Sequence, residues 1–271
     1  MIIDLINKKL EENTNKKDVI KIWYIKEVLQ SEILEYVYRD KNYKDILFYG
    51  WTAMRFLLGL NRLSEDLDFI WQWFDSFEQL GFDLQKYFSQ QHKIQLDYKI
   101  QKFRITLKFR NFLEQFDLQY WNSDDLYLKI EISDHFDFCS SYKTKYYPIM
   151  YQNKSILIYS LDESTLFSTK LNAVLYRQRA KNKNSTEIKV KGRDFYDLFR
   201  YLQKNIQPNI DCIKNVKSIQ DLKEKLKQII ENTNFKEVIQ DIENFVEDDN
   251  MIKFIENHGK EYIFEKINEW K

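Results

Sequence analysis

Glycine and proline are scarce, at five and two in 271 residues. So few chain breakers exclude a loop-rich or collagen-like chain and predict long, uninterrupted elements, mostly helices. Any glycine in so poor a background carries information. Cysteine is nearly absent as well. Cys139 and Cys212 make no C-x-x-C pair, and His92, His135 and His258 stand at no metal-ligand spacing. This argues against a zinc site, and the two cysteines read as ordinary cytosolic thiols. No apolar run reaches the roughly 18 residues that a membrane helix needs. The N-terminus, MIIDLINKKLEENTNKKD, is too charged for a signal peptide, so the expectation is a cytoplasmic protein without a membrane partner. Net charge is zero, with 42 basic and 42 acidic residues, so any polyanion-binding surface must come from local clustering. No P-loop, G-x-G-x-x-G, kinase signature or G-x-S-x-G occurs.

What is present suits a substantial core. Hydrophobic residues make up 44% and aromatics 16% of the chain, which excludes general disorder. Apolar residues recur at three- and four-residue steps in 1–12 and about 17–39, predicting helices. DILFYG (45–50) reads as a short strand stopped by glycine, 52–60 as a buried helix, EDLDFI (65–70) as a second strand and 75–90 as an amphipathic helix. IQLDYKI (94–100), KFRITLKF (102–109) and LYLKIEIS (126–133) alternate as half-buried strands do, and 147–160 reads as a hairpin. Helical patterning returns at 161 and continues to the end. The predicted fold class is α/β (α+β): residues 1–160 form a core with a mixed sheet and N-terminal helices, and 161–271 form a helical domain. No linker marks the boundary.

The stretch YGWTAMRFLLGLNRLSEDLDF (49–69) concentrates the chemistry. Strand side chains alternate faces. Leu67 and Phe69 therefore point one way, and Asp66 and Asp68 point together the other way. Two neighbouring carboxylates repel, and burying either is costly. Mg²⁺, a hard cation that takes oxygen ligands and leaves positions open for phosphates, would relieve both. Upstream, Gly50 and Thr52 sit at a strand-to-helix turn, where Thr52 can cap the helix and free N–H groups favour a phosphate. A solvated carboxylate pair and an ordinary turn are the plain alternatives.

Gly50, Thr52, Ala53, Arg62, Ser64, Asp66, Leu67, Asp68 and Phe69 stand where the AbiEii-type abortive-infection toxins carry Gly-Gly-Thr-Ala-Leu, a short helix and Arg-x-Ser-x-Asp-Leu-Asp-Phe. The chain resembles that family, a branch of the polymerase beta-like nucleotidyltransferases, strongly over about twenty residues, with Trp51 in place of the second glycine. A second block agrees. Lys170 lies in a predicted helix, and Arg193, Asp194, Phe195, Tyr196 and Asp197 spell the family's Arg-Asp-x-x-Asp. Phe195, Leu198, Phe199 and Leu202 would form the core stripe of that helix, with Asp194 and Asp197 off it.

The resemblance implies a nucleotidyltransferase using an NTP and Mg²⁺, in two ions held by Asp66, Asp68 and a third acid. Glu131 is the best candidate for that acid, with Asp97 and Asp137 weaker. It further implies phosphate contacts by Gly50, Thr52, Arg62, Ser64 and Lys170, with Asp194 in the active site. Asp197 stands between a site role and a brace for Arg193 or Lys170. The acceptor would be RNA, first of all the tRNA 3′ end, and the partner a separately encoded antitoxin. The basic run Arg177, Arg179, Lys181, Lys183, Lys189, Lys191 and Arg193, against a single Glu187, would hold RNA by its phosphates. Solvation alone could also account for that run. Transfer to a small molecule or protein hydroxyl, and an inactive binding module, stay open as alternatives.

Overall fold

The computed structural model describes residues 2–71, 77–134, 136, 139, 141–151, 154–177, 179–180, 188–189 and 191–271. The chain divides into two compact units. The first holds Met1–Phe136 and Lys145–Ser160, and the second holds Asp137–Thr144 and Leu161–Lys271.

The first unit opens with helices α1 (Ile2–Glu11) and α2 (Asp18–Arg39). Strand β1 (Leu47–Tyr49), helix α3 (Gly50–Leu58), strand β2 (Asp66–Ile70) and helix α4 (Phe77–Tyr87) follow. A π-helical turn, Phe88–His92, ends α4. Strands β3 (Leu96–Gln101), β4 (Arg104–Phe109), β5 (Leu126–Ser133), β6 (Thr144–Tyr151) and β7 (Lys154–Leu161) complete one seven-stranded sheet, ordered β3-β4-β5-β2-β1-β7-β6. The sheet is mixed. β2 runs antiparallel to β1 but parallel to β5, and β1 runs parallel to β7 through Phe48 and Ser160.

Alternation decides which face is core. Leu126, Leu128, Ile130 and Ile132 of β5 are buried, as are Leu67 and Phe69 of β2 and Ile105 and Leu107 of β4. Their registers align Leu67 with Ile130 and Ile105 with Ile130, giving one continuous apolar face. Burying such side chains is the main stabilising term, about 1.5–3 kcal/mol each. The opposite face carries Asp66, Asp68, Lys129, Glu131 and Arg104.

Helix α2 is buried nearly all round and brings polar residues inside. Buried charges need partners, and Glu32 has several. His92 Nε2 lies 3.3 Å away, Tyr87 donates at 3.2 Å, and Lys154 bonds it closely. Burial alone would raise the Glu32 carboxyl, but His92 and Lys154 beside it outweigh that and hold the group below the ordinary range.

The second unit contains α5 (Glu163–Tyr176), a short ribbon of β8 (Arg179–Ala180) with β9 (Ile188–Lys189), α6 (Gly192–Gln203), α7 (Ile219–Glu231), α8 (Phe235–Ile242) and α9 (Asp249–Asn268). Asp162 caps α5 by accepting from the Thr165 N–H at 2.9 Å. The expected stripe Phe195, Leu198, Phe199 and Leu202 is buried, and the Phe167 and Tyr201 rings stack at 4.4 Å. Helix α6 is buried on more than that stripe, because Tyr196, Tyr201, Asp194 and Asp197 are inside too. Gly192 permits this close packing. A Cβ there would stand 2.7 Å from Asp241 Cβ and 2.8 Å from Val238 Cα.

One expectation fails in this unit. Cys139 and Cys212 are not free thiols but form a disulfide across 73 residues of sequence. Spacing held no signal, since the fold brings the partners together. Two hydrogen bonds hold the same segment. Asn209 Nδ2 donates to the Ser141 carbonyl at 3.0 Å, and the Asp162 N–H donates to the Lys143 carbonyl at 2.9 Å. Among the described residues, no helix is long and apolar enough to cross a membrane.

Candidate active site

The glycine at the end of β1 explains itself once the sheet is assembled. Tyr49 pairs with Asp68 across the antiparallel β1–β2 ladder, so the backbone just after Tyr49 passes over the Asp68 side chain. A Cβ on Gly50 would sit 2.6 Å from Asp68 Cγ and 2.8 Å from its Cβ, and Gly50 has φ +76°. Only glycine meets both demands cheaply. We predict that Gly50→Ala costs about 1–2 kcal/mol through its backbone alone, plus the displacement of Asp68. In an Asp68→Ala background the same substitution should cost less, because the carboxyl contacts are gone and only the contact with the Cβ of residue 68, at 2.8 Å, is left beside the backbone part. Equal losses in both backgrounds, read by chemical unfolding, would sink the idea that Gly50 serves Asp68.

Thr52 does not cap α3, contrary to expectation. The helix starts at Gly50, the N-cap position is Tyr49, and Thr52 is fully buried. Its hydroxyl instead donates to the Asp66 carbonyl, and its Oγ1 lies 2.8 Å from Ser64 Oγ. Gln30 Nε2 of α2 donates to the Ser64 carbonyl at 3.1 Å. Thr52, Ser64 and Gln30 thus fix the approach to β2. Trp51, where the family pattern has glycine, is buried and donates its Nε1–H to the Arg62 carbonyl at 2.9 Å. The Arg62 guanidinium lies 4.0 Å over the Trp51 ring and donates to the Leu63 carbonyl at 3.2 Å. Arg62 is itself buried, so its contacts brace the loop leading into β2.

Asp66 and Asp68 share the face opposite the core. Asp66 Oδ1 is buried with no hydrogen-bond partner, and Lys129 Nζ is 3.9 Å from it. Burial raises the Asp66 carboxyl above its ordinary value; Glu65 and Glu131 add to that, while Lys129 and Lys26 oppose it. Glu131 lies directly across from Asp68 in the parallel β2–β5 ladder. Its carboxylate is nonetheless engaged by Arg104, the residue paired with it on β4, with Nε at 3.0 Å and Nη2 at 2.5 Å from Oε1. Of the weaker candidates, Asp97 is bonded by Arg110 on β3's outer side, and Asp137 lies outside the described residues.

Two residues beside the carboxylates escaped the sequence reading. Arg104 is one. Lys26 is the other, buried on α2 with its ammonium 4.4 Å from the Trp23 ring and 5.6 Å from Tyr120. Burial lowers Lys26 to a pKa of about 8, although Glu65 and Asp66 pull the other way. A polar residue within the buried run WYIKEVLQSEIL was the available signal.

Among the described residues, no group of three or more His, Cys, Asp or Glu is arranged to hold a metal. The donor chemistry of Asp66 and Asp68 still fits a hard cation. Both supply oxygen ligands, and a cation would satisfy the orphaned Asp66 Oδ1.

The second unit carries its own ionic cluster. Lys170 Nζ is 3.2 Å from Asp197 Oδ2 and 3.9 Å from Asp194 Oδ1. Lys170 is 12% exposed, and the two side chains are 0% and 5% exposed. Asp194 Oδ2 is buried without a hydrogen-bond partner. Asp197 therefore braces Lys170, while Arg193 lies 4.7 Å over the Phe245 ring. Of the basic run, Arg177 is exposed and Lys191 half-buried. The backbones of Arg179 and Lys189 pair in the β8–β9 ribbon. Lys181 and Lys183 lie outside the described residues, as do the side chains of Arg179 and Lys189.

Comparison with solved structures finds a proposed nucleotidyltransferase from H. pylori, with TM-score 0.49 and 16% identity, covering 90% of this chain and 92% of that one. A second likeness is JHP933 from Helicobacter pylori, with TM-score 0.45 and 15% identity, covering 88% and 90%. No curated protein matches the chain. Residues 33–251 match the family model described as the nucleotidyl transferase AbiEii toxin of a type IV toxin–antitoxin system, and the chain belongs to that family.

Proposed function

We propose that the chain transfers nucleotides from an NTP to the 3′ end of an RNA, tRNA first, with Mg²⁺. It would act in the cytoplasm as the toxin of a pair whose antitoxin is separately encoded. The observation that carries this reading is the carboxylate face. Asp66 and Asp68 project together from β2, an orphaned oxygen sits on Asp66, and Glu131 stands in register beside Asp68. Mg²⁺ bound there would lower the pKa of an attacking hydroxyl and offset charge on the triphosphate.

The chain's own residues then have separable tasks. Asp66 and Asp68 would hold the cation, with Glu131 as the third acid. Gly50 keeps the backbone clear of the Asp68 carboxylate. Thr52 and Ser64 fix the loop before β2, and Arg62 clamps that loop through Trp51. Lys170 and Asp194 keep the phosphate-contacting and active-site roles that membership of the family suggests. The support for RNA as acceptor is the basic run from Arg177 to Arg193, which places seven cations against one acid in a chain of zero net charge.

The direct test incubates the protein with Mg²⁺, each α-labelled NTP in turn and total cellular RNA. Label in tRNA-sized RNA, absent with Asp66→Asn, is the expected result. Label in protein or small molecules instead would overturn the choice of acceptor. Nucleotide binding with no label anywhere would overturn the transferase reading.

A further inference from the structure

Glu131 occupies two relationships that conflict. Its register puts it beside Asp68 on the neighbouring parallel strand, and adjacent strands run about 4.8 Å apart. Yet both nearer Arg104 nitrogens hold the same Glu131 oxygen, Nε at 3.0 Å and Nη2 at 2.5 Å. The third carboxylate is within reach of the other two and is kept from them. That accounts for the lack of an assembled three-carboxylate group among the described residues.

The restraint is a weak one. Arg104 and Glu131 are 41% and 39% exposed, and ion pairs so exposed are readily exchanged. Arg104 begins β4 beside the β3–β4 turn, where Phe103 is also open to solvent. A guanidinium there has a better partner available in principle. Phosphate carries more charge than a carboxylate and accepts the same two-pronged donor geometry.

We infer that Arg104 holds Glu131 out of the carboxylate cluster until a phosphate-bearing substrate takes the guanidinium and releases Glu131 to Asp66 and Asp68. This rests on the reading of those carboxylates as cation ligands. Arg104 is thus a positioning residue. It makes the cation site complete only when substrate is present, which limits idle metal loading and non-productive turnover. The source of the phosphate is either the triphosphate or the acceptor's backbone.

The test is Mn²⁺ binding followed by electron paramagnetic resonance on the full chain, without nucleotide. Arg104→Ala should bind Mn²⁺ roughly five-fold more tightly than the parent, the exchange of one exposed ion pair. Arg104→Lys, which keeps the charge and loses the fork, should bind with intermediate affinity and covers the case in which the alanine variant folds poorly. In a Glu131→Gln background the gain should vanish. A gain that persists there reflects charge alone and overturns the inference, as does an unchanged affinity in both arginine variants. If Asp66→Asn binds Mn²⁺ as well as the parent, the carboxylate reading itself falls, and this inference with it. Metal-free binding of tripolyphosphate and of a short single-stranded RNA separates the two sources. Arg104→Ala should weaken one of them several-fold, and no loss for either overturns the substrate half of the proposal.

Discussion

Lys170→Met is expected to destabilise the protein by about 3–5 kcal/mol, the cost of stranding buried charge. Lys170 is the cation between Asp194 and Asp197, and both of those carboxylates are all but excluded from solvent. Removing it leaves two like charges facing each other where water cannot screen them. Removing one of the acids at the same time relieves the repulsion. The double variant Lys170→Met, Asp197→Asn should therefore lose less than the sum of its two singles, by about 1–3 kcal/mol of coupling. Urea unfolding of the four proteins measures this. A Lys170→Met loss below about 1 kcal/mol, the level of an exposed pair, would show that the cluster is solvated and that Lys170 is not held by these acids.

Asp66→Asn should do the opposite, abolishing activity while making the fold more robust. Loss of a carboxylate that holds a catalytic cation removes several kcal/mol of transition-state stabilisation, on the order of 10³-fold in rate. The stability argument follows from the sign of the Asp66 shift. Burial first, then Glu65 and Glu131, place its folded pKa above the unfolded value. Such a group favours the fold only while protonated. That contribution is complete below the unfolded pKa and is lost as pH rises through the folded one. At neutral pH the ionised Asp66, whose Oδ1 makes no hydrogen bond and has Lys129 no nearer than 3.9 Å, is a liability to the fold, and asparagine removes the charge. A higher Tm with no labelled product is the expected pair of readings. A lower Tm would mean that the Asp66 charge has a stabilising partner, and retained turnover would remove Asp66 from the chemistry.

The stretch from Tyr49 to Phe69 was readable because short-range rules govern it. A strand, a glycine at a turn and strand alternation fix which way Asp66 and Asp68 point without help from distant residues. LYLKIEIS was readable for the same reason, and its strand spans the residues expected. The match of Glu131 with Asp68 was not readable. It depends on β5 pairing with β2 while β3 and β4, which intervene in sequence, lie beyond it. Arg104 was hidden for the same cause, since its partner is set by the β4–β5 register. Thr52 shows a local rule overridden, because a hydroxyl suited to capping was drawn instead to the Asp66 carbonyl. Asp194 and Asp197 were expected off the apolar stripe, and they are. They are nevertheless buried, because Lys170 on α5 supplies the countercharge that a single-helix view cannot contain.

The strand order has a consequence for how this chain leaves the ribosome. β2 can pair with β1 early, but its other neighbour, β5, is made only after β3 and β4. β1 in turn waits for Ser160 to reach Phe48. Contacts so distant in sequence form late, and domains tend to fold as units during synthesis. A nascent chain therefore carries Asp66 and Asp68 for much of its translation without Glu131 beside them. If those carboxylates are what make the protein toxic, a product that stalls before β5 is made is harmless, and the hazard to the cell begins only when the central sheet closes.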